Sequence, residues 1–238
     1  MKQKFSLLEL LIVIAIIGIL LSLLLPSLMS AKEKARIAVC LSNQSQLHRS
    51  TSLHVKDFDG LLLNRTGYSS RYPGGLHDDA NYGNSPNYEL DWGKKFEAYL
   101  PGFTIEEGSE IFSCPSQNKP AYRTTIKGWA ITDYSYWATL EGCTTLNDTN
   151  IPSHIAKAES DWALFTDAAW QWSNSWQGYN HGPSSGNFYA DDNFTSSPAN
   201  GTQPTGLAEV YIDGSAKWGT SIRQAVITPW NARVYQLK

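Results

Sequence analysis

Glu9 is the first side chain in this sequence whose type and position imply chemistry. It interrupts the apolar stretch of residues 5–26 (FSLLELLIVIAIIGILLSLLLP), where every residue from Leu10 to Leu25 is apolar except Gly18 and Ser22. A carboxylate near the end of a run that enters lipid is costly and is a functional candidate by default. A second set lies far along the chain, where His181, Asp167 and Asp213 could converge as a metal or acid–base site. A lone His among carboxylates has no ligand spacing, so the reading adopted is a hydrogen-bonded, structural His181 with Asp213 supplying a turn. Gly182-Pro183-Ser184-Ser185-Gly186 satisfies G-x-S-x-G, but a nucleophile elbow needs a buried strand before it and a helix after it. Its flanks, Gln177-Gly178-Tyr179-Asn180 and Asn187-Phe188-Tyr189-Ala190-Asp191, are mostly polar, and no hydrolase is expected. Asp191-Asp192-Asn193 could hold Ca²⁺ through oxygen ligands, yet the spacing matches no EF-hand, and solvated loop acids are the reading adopted. No cofactor and no metal are therefore expected. Trp170, Trp172 and Trp176 would form a stacking platform for sugar rings if exposed and ordinary core contacts if buried. Three cysteines, Cys40, Cys114 and Cys143, leave one over from any single disulfide.

The elements that position these groups begin with the apolar run. With its flanks it reaches about 20 residues, the length a helix needs to cross the hydrocarbon core. It is longer than the h-region of a secretory signal peptide, and no A-x-A-like site follows Pro26. Lys2 and Lys4 ahead of it place the N-terminus in the cytoplasm. Beyond Pro26 the helix should resume, kinked or not. Ile37, Cys40, Leu41, Leu47, Thr51 and Val55 recur close to a 3.6 period, with polar residues on the other face. Residues 5–56 as one helix would be ~78 Å long. Asp57-Phe58-Asp59-Gly60 ends it, with Gly60 as the stop.

The remainder reads as one domain. The sequence has 238 residues, which leaves roughly 180 beyond a membrane helix. Its formal charge of −3, or −5 without Lys2 and Lys4, is no footprint for nucleic acid. Few charges with 9 Trp and 12 Tyr suggest an extracellular, loop-rich surface. Residues 64–90 are turn-rich and read as a loop. Residues 91–100 suggest a short helix with Asp91 as N-cap, and 111–115 a short extended segment. Strands are expected at 134–140 (YSYWATL) and 162–166 (WALFT). The clearest β signal is 208–218, a hairpin in which Asp213-Gly214 forms a two-residue type I′ turn.

Phe5-Ser6-Leu7-Leu8-Glu9-Leu10, behind the basic leader Met1-Lys2-Gln3-Lys4 and ahead of an apolar helix reaching Pro26, resembles type IV pilins and the pseudopilins of type II secretion. Their hallmark is a short basic leader, a Phe-Thr-Leu-Ile-Glu-Leu-like start and an apolar helix. With Phe5 as the mature first residue, Glu9 is fifth and Pro26 twenty-second, as in the family. Lys4 departs from it, standing where the family usually has Gly; some bacterial subgroups carry Lys there.

The resemblance implies removal of the leader, residues 1–4, by prepilin peptidase between Lys4 and Phe5, with methylation of the new Phe5 amine. Residues 5–28 would be the transmembrane half of the helix, 29–56 its amphipathic half and 57–238 the globular domain. The fold expected is α+β, a long N-terminal helix packed on a small antiparallel sheet. The place expected is the bacterial inner membrane, single-pass with the N-terminus cytoplasmic, and then a periplasmic or cell-surface filament. The function implied is a structural subunit of a type IV pilus or secretion pseudopilus, not an enzyme. Its partners would be prepilin peptidase, the inner-membrane assembly platform, membrane lipid, and copies of itself or other pilins. Phe5, Glu9 and Pro26 would serve assembly. The alternative is a minor tip subunit that binds glycans through its Trp-rich loops.

Further segments are similar to one bacterial subgroup of this family. Its tail motif is His, nine residues, then Asp-Gly; here His181 and Asp213-Gly214 look like the two ends, with 31 residues between them. The polar stretch 188–205 reads as a loop insertion. Residues 112–116 (FSCPS) and 163–168 (ALFTDA) also look like that subgroup's segments. Cys40 and Cys114 fall in family-like segments and Cys143 does not, so a Cys40–Cys114 disulfide in an oxidising space is the pairing implied. By the chain-entropy argument it would be worth ~4 kcal/mol. Three buried free thiols are the other reading. Some pseudopilins bind calcium, the implication that would favour Ca²⁺ here.

Overall fold

A single helix, α1 (Leu7–Asp57, 51 residues), runs unbroken through Pro26. The computed structural model describes residues 6–63, 75–77, 96–103, 109–117, 130–138, 144–145, 151–172, 175–182, 203–227 and 233–237. Pro26 has no N–H to give the Ser22 carbonyl, one lost bond in a helix of this length. The end of α1 is built as the sequence indicates. Asp59 is left-handed (φ 49) and the Gly60 N–H reaches back to the Val55 carbonyl at 2.8 Å, a Schellman closure. Gly60 also has positive φ (+88), and a Cβ there would collide with the His154 ring.

The chain divides into two compact units, Met1–Arg36 and Ile37–Lys238, with the boundary inside α1. In the first, the large apolar side chains from Leu7 to Met29 are all exposed, from 45% at Val13 to 88% at Leu7. By length and composition this helix can cross a membrane.

In the second unit, α1 buries Cys40, Gln44, Leu47, Ser50, Thr51, His54 and Val55. The stripe has the helical period expected, but Gln44, Ser50 and His54 are polar members that an apolar pattern passes over. The strands, all paired antiparallel, are β1 (Gly75–His77), β2 (Ala130–Ile131), β3 (Tyr134–Tyr136), β4 (Thr144–Thr145), β5 (Ala163–Asp167), β6 (Ala169–Trp172), β7 (Ser175–Tyr179), β8 (Leu207–Tyr211), β9 (Ala216–Gly219), β10 (Ile222–Ile227) and β11 (Arg233–Leu237). They form a four-stranded sheet β3-β5-β8-β9, a five-stranded sheet β4-β10-β11-β6-β7 and the pair β1-β2. Gln44 on α1 donates to Asp167 on β5 and to the Ala208 carbonyl on β8, at 3.0 and 3.2 Å. The fold is thus α+β, a long N-terminal helix whose later part packs on a small antiparallel sheet. Leu47, Phe112, Tyr136 and Phe165 lie in the core between them, fully buried.

Several local expectations are corrected. The 208–218 hairpin exists, but Val210 pairs with Ala216, and the connection after Tyr211 is Ile212-Asp213-Gly214 followed by Ser215. Gly214 N–H donates to the Tyr211 carbonyl and only Gly214 has positive φ (+86), so this is a type I turn closed by a left-handed glycine. A type I′ turn would also need positive φ at Asp213, which a side chain disfavours. The expected extended segment 111–115 begins instead with a 3₁₀ turn, Glu110–Phe112, because Ser109 caps the Ile111 N–H. β1 lies inside the stretch read as a loop, and β7 runs up to Tyr179 where polar composition argued against a strand. Trp170, Trp172 and Trp176 stand on the paired strands β6 and β7, not in loops. Of the expected helix 91–100, residues 91–95 lie outside the described residues, and Phe96 and Glu97 are helical.

Candidate functional site

The functional candidates separate into two places. The first is the start of α1. Ser6 precedes the first helical residue, and its Oγ accepts from the Glu9 N–H at 3.2 Å. Glu9 Oε2 in return accepts from the Ser6 N–H at 2.8 Å. This reciprocal pair is a capping box, which satisfies two of the N–H groups that every helix start leaves open. Serine followed three residues later by Glu, ahead of an apolar run, is its sequence signature, and Ser6 is the residue that reading Glu9 alone misses. Lys4 and Phe5, the expected cleavage pair, lie outside the described residues.

The second place is a buried cluster where α1, β5, β8 and the turn after β7 meet. Asp167, at the end of β5, accepts at Oδ1 from Gln44 Nε2 and from Asn180 Nδ2, both at 3.0 Å. Its Oδ2 accepts from the Ala208 N–H at 2.7 Å and lies 3.5 Å from His181 Nε2. His181 Nδ1 is 3.0 Å from Ser116 Oγ, and its ring stands edge-on to Trp218. Cys114 Sγ lies 3.5 Å from His181 Nε2 and 2.7 Å from Cys40 Sγ. The Cys114 N–H donates to Asp133 Oδ2 at 2.7 Å, and Asn180 donates to the Asp133 carbonyl. Cys40, Asp133, Asp167, Asn180 and His181 are at most 1% exposed and Cys114 is 2% exposed, so no face of the cluster is open to a substrate. The chemistry available to it is internal: pairing polar groups and sulfurs across segments far apart in the chain.

Burial is the main reason that both carboxyls lie above the usual carboxylate range. Asp167 is raised by burial against the opposing pull of His181, the Ala208 N–H, Asn180 and Gln44. Asp133 is raised well above it by burial and by the Asp167 charge, with the Cys114 N–H and His181 opposing. Cys114 is pushed well above an ordinary thiol, first by burial; for Cys40 the contact with Cys114 pulls down most strongly, but burial and the Asp167 and Asp133 charges together raise it.

The Asp133 shift carries a sign. Its folded value lies above its unfolded one, so the stability it contributes is complete below ~3.9 and is lost as pH rises through the folded value. Asp133→Asn keeps an oxygen for the Cys114 N–H and removes the buried charge. Urea unfolding of the full chain in detergent between pH 4 and 8 should therefore show a shallower fall in stability with rising pH for the variant, and no loss at pH 8. An unchanged slope would contradict the buried-charge account.

The structure brings His181 and Asp167 together but not Asp213. Asp213 is in the exposed hairpin turn, where its Oδ1 accepts from the Ser215 N–H at 2.8 Å and hydroxyl at 2.6 Å. Those bonds hold its carboxyl below the usual range. Gly214 beside it faces His48 of α1, whose Nε2 is 3.0 Å from the Ile212 carbonyl, and a Cβ at Gly214 would come within 3.1 Å of that ring. His181 and the Asp213-Gly214 pair thus do separate jobs, His181 in the core and Asp213-Gly214 in a turn against the helix. Cys143, residues 183–186 of the G-x-S-x-G stretch and Asp191-Asp192-Asn193 lie outside the described residues. Gln44, Asp133, Asn180 and Ser116 are cluster members that sequence reading missed. Gln44 had a signal, being one turn after Cys40 on the same helix face, and Ser116 closes the FSCPS segment singled out above. No family model, curated protein or solved structure matches this chain.

Proposed function

We propose that this chain is a structural subunit of a membrane-assembled filament of the type IV pilus or type II secretion pseudopilus kind. Prepilin peptidase cleaves it between Lys4 and Phe5 in the bacterial inner membrane, and it then packs by its N-terminal helix. The observation that carries this reading is the first unit of α1: its large apolar side chains are exposed around the helix, with Glu9 at its start. Such a surface requires cover, by lipid before assembly and by neighbouring helices after it. Gly18, whose missing Cβ has no neighbour within 4 Å, leaves room for a second helix to approach closely. Copies of the same chain or related subunits supply those helices, delivered by an inner-membrane assembly platform, and the second unit becomes the filament's outer surface.

The test is the mass of the protein recovered from membranes and from sheared surface filaments. Filament material should begin at Phe5 with one added methyl group. Filaments containing chains that begin at Met1, or a processed chain never found in filaments, would overturn the proposal.

A further inference from the structure

We propose that Cys40 and Cys114 are joined by a disulfide in the mature protein, tying α1 covalently to the domain that packs on it. The sulfurs lie 2.7 Å apart. That is closer than the ~3.5–4.0 Å optimum even of unbonded carbon atoms, which are smaller than sulfur. A bond requires ~2.04 Å, a small further closure. The third group of the cluster, His181, raises the rival reading of a metal held by two thiolates and an imidazole. At Zn–S distances of ~2.3 Å, sulfurs this close would subtend only about 72° at the metal, far from tetrahedral.

The oxidation needs an electron acceptor, and the proposed export to an oxidising compartment supplies it, so this inference rests on that reading. One cysteine thiolate attacks the disulfide of a thiol–disulfide oxidoreductase, forming a mixed disulfide and releasing that enzyme's second sulfur as a thiolate. The other cysteine thiolate then displaces the remaining enzyme sulfur. Two protons and two electrons leave the pair, and the oxidoreductase ends as its dithiol. Because Cys40 is wholly buried and Cys114 is 2% exposed, the bond forms before the domain closes and is shielded afterwards.

The test uses the full chain extracted from the cell envelope, unfolded in denaturant with iodoacetamide and no reductant, then digested. The expected result is one cross-linked peptide pair holding Cys40 and Cys114, lighter than the two separate peptides by two hydrogen atoms. Only Cys143 should be alkylated, and the bond should reduce at least about tenfold more slowly in the folded chain than in the unfolded one. Alkylation of both Cys40 and Cys114, a link from either to Cys143, or zinc released in equal amount with both thiols free would each overturn the proposal. The N-terminal mass of the same sample separates the two ideas. A chain processed at Phe5 with free Cys40 and Cys114 removes the disulfide and leaves the filament reading intact.

Discussion

Glu9→Gln is expected to cut filament number at least tenfold while leaving membrane insertion and N-terminal processing largely intact. A carboxylate in lipid is costly unless paired. On the proposed filament reading, cleavage before Phe5 would create an α-amine that is mostly positive at neutral pH. As an incoming subunit joined such a filament, its amine would stand beside Glu9 of a neighbour, and both charges would be neutralised as the helices leave lipid. Desolvation takes back much of that attraction, so the pair sets register and recruitment more than it stabilises the finished filament. The capping box gives Glu9 a second duty and makes the experiment sharper. Glutamine also serves at that position of the box, so Glu9→Gln removes the charge and keeps the cap. Ser6→Ala does the reverse, losing about 1 kcal/mol of helix capping and keeping the carboxylate. Counting filaments by electron microscopy in strains lacking the wild-type protein should find few for Glu9→Gln and near-normal numbers for Ser6→Ala. The opposite ranking would assign Glu9 to capping alone, and normal numbers from Glu9→Gln would end the charge-pairing account.

Asp167→Ala is expected to destabilise the domain by about 3–5 kcal/mol, because three buried donor groups each lose one acceptor at once. These are Gln44 Nε2, Asn180 Nδ2 and the Ala208 N–H, on three different segments. None can turn to water, since Gln44, Asn180 and Ala208 have no exposed surface. For a domain of this size the loss corresponds to a fall in Tm of about 6–20 °C. Asp167→Asn should fall between, since its amide offers one acceptor oxygen where the carboxylate offered two. Asp213→Ala, in an exposed turn, should cost the least of the three. Thermal unfolding of the full chain in detergent, followed by circular dichroism, ranks the three. Equal losses for Asp167→Ala and Asp213→Ala would deny the buried cluster its structural role.

The sequence by itself determined the features whose physics is local. An apolar run of ~20 residues fixes a helix that can cross a membrane, since in lipid every backbone group must be satisfied within the segment. The 3.6 period of Cys40, Leu47, Thr51 and Val55 carries that helix onward, and Asp59-Gly60 stops it where left-handed residues are needed. The Asp-Gly pair placed the β8–β9 hairpin, although not its turn type, because one residue of register alters the turn while leaving composition unchanged. The tertiary structure alone decided what meets in the core. Cys40 and Cys114, 74 residues apart, come into contact because α1 and the 3₁₀ turn before Cys114 pack on the same sheet. Composition gives no sign that polar Gln44, Asp133 and Asn180 are buried, yet they are: Gln44 Nε2 and Asn180 Nδ2 donate to Asp167, Asn180 also to the Asp133 carbonyl, and Asp133 Oδ2 accepts from the Cys114 N–H. Hydrophobic periodicity reports only which residues avoid water. A buried polar group is stabilised by partners distant in the chain, and only the folded structure places them.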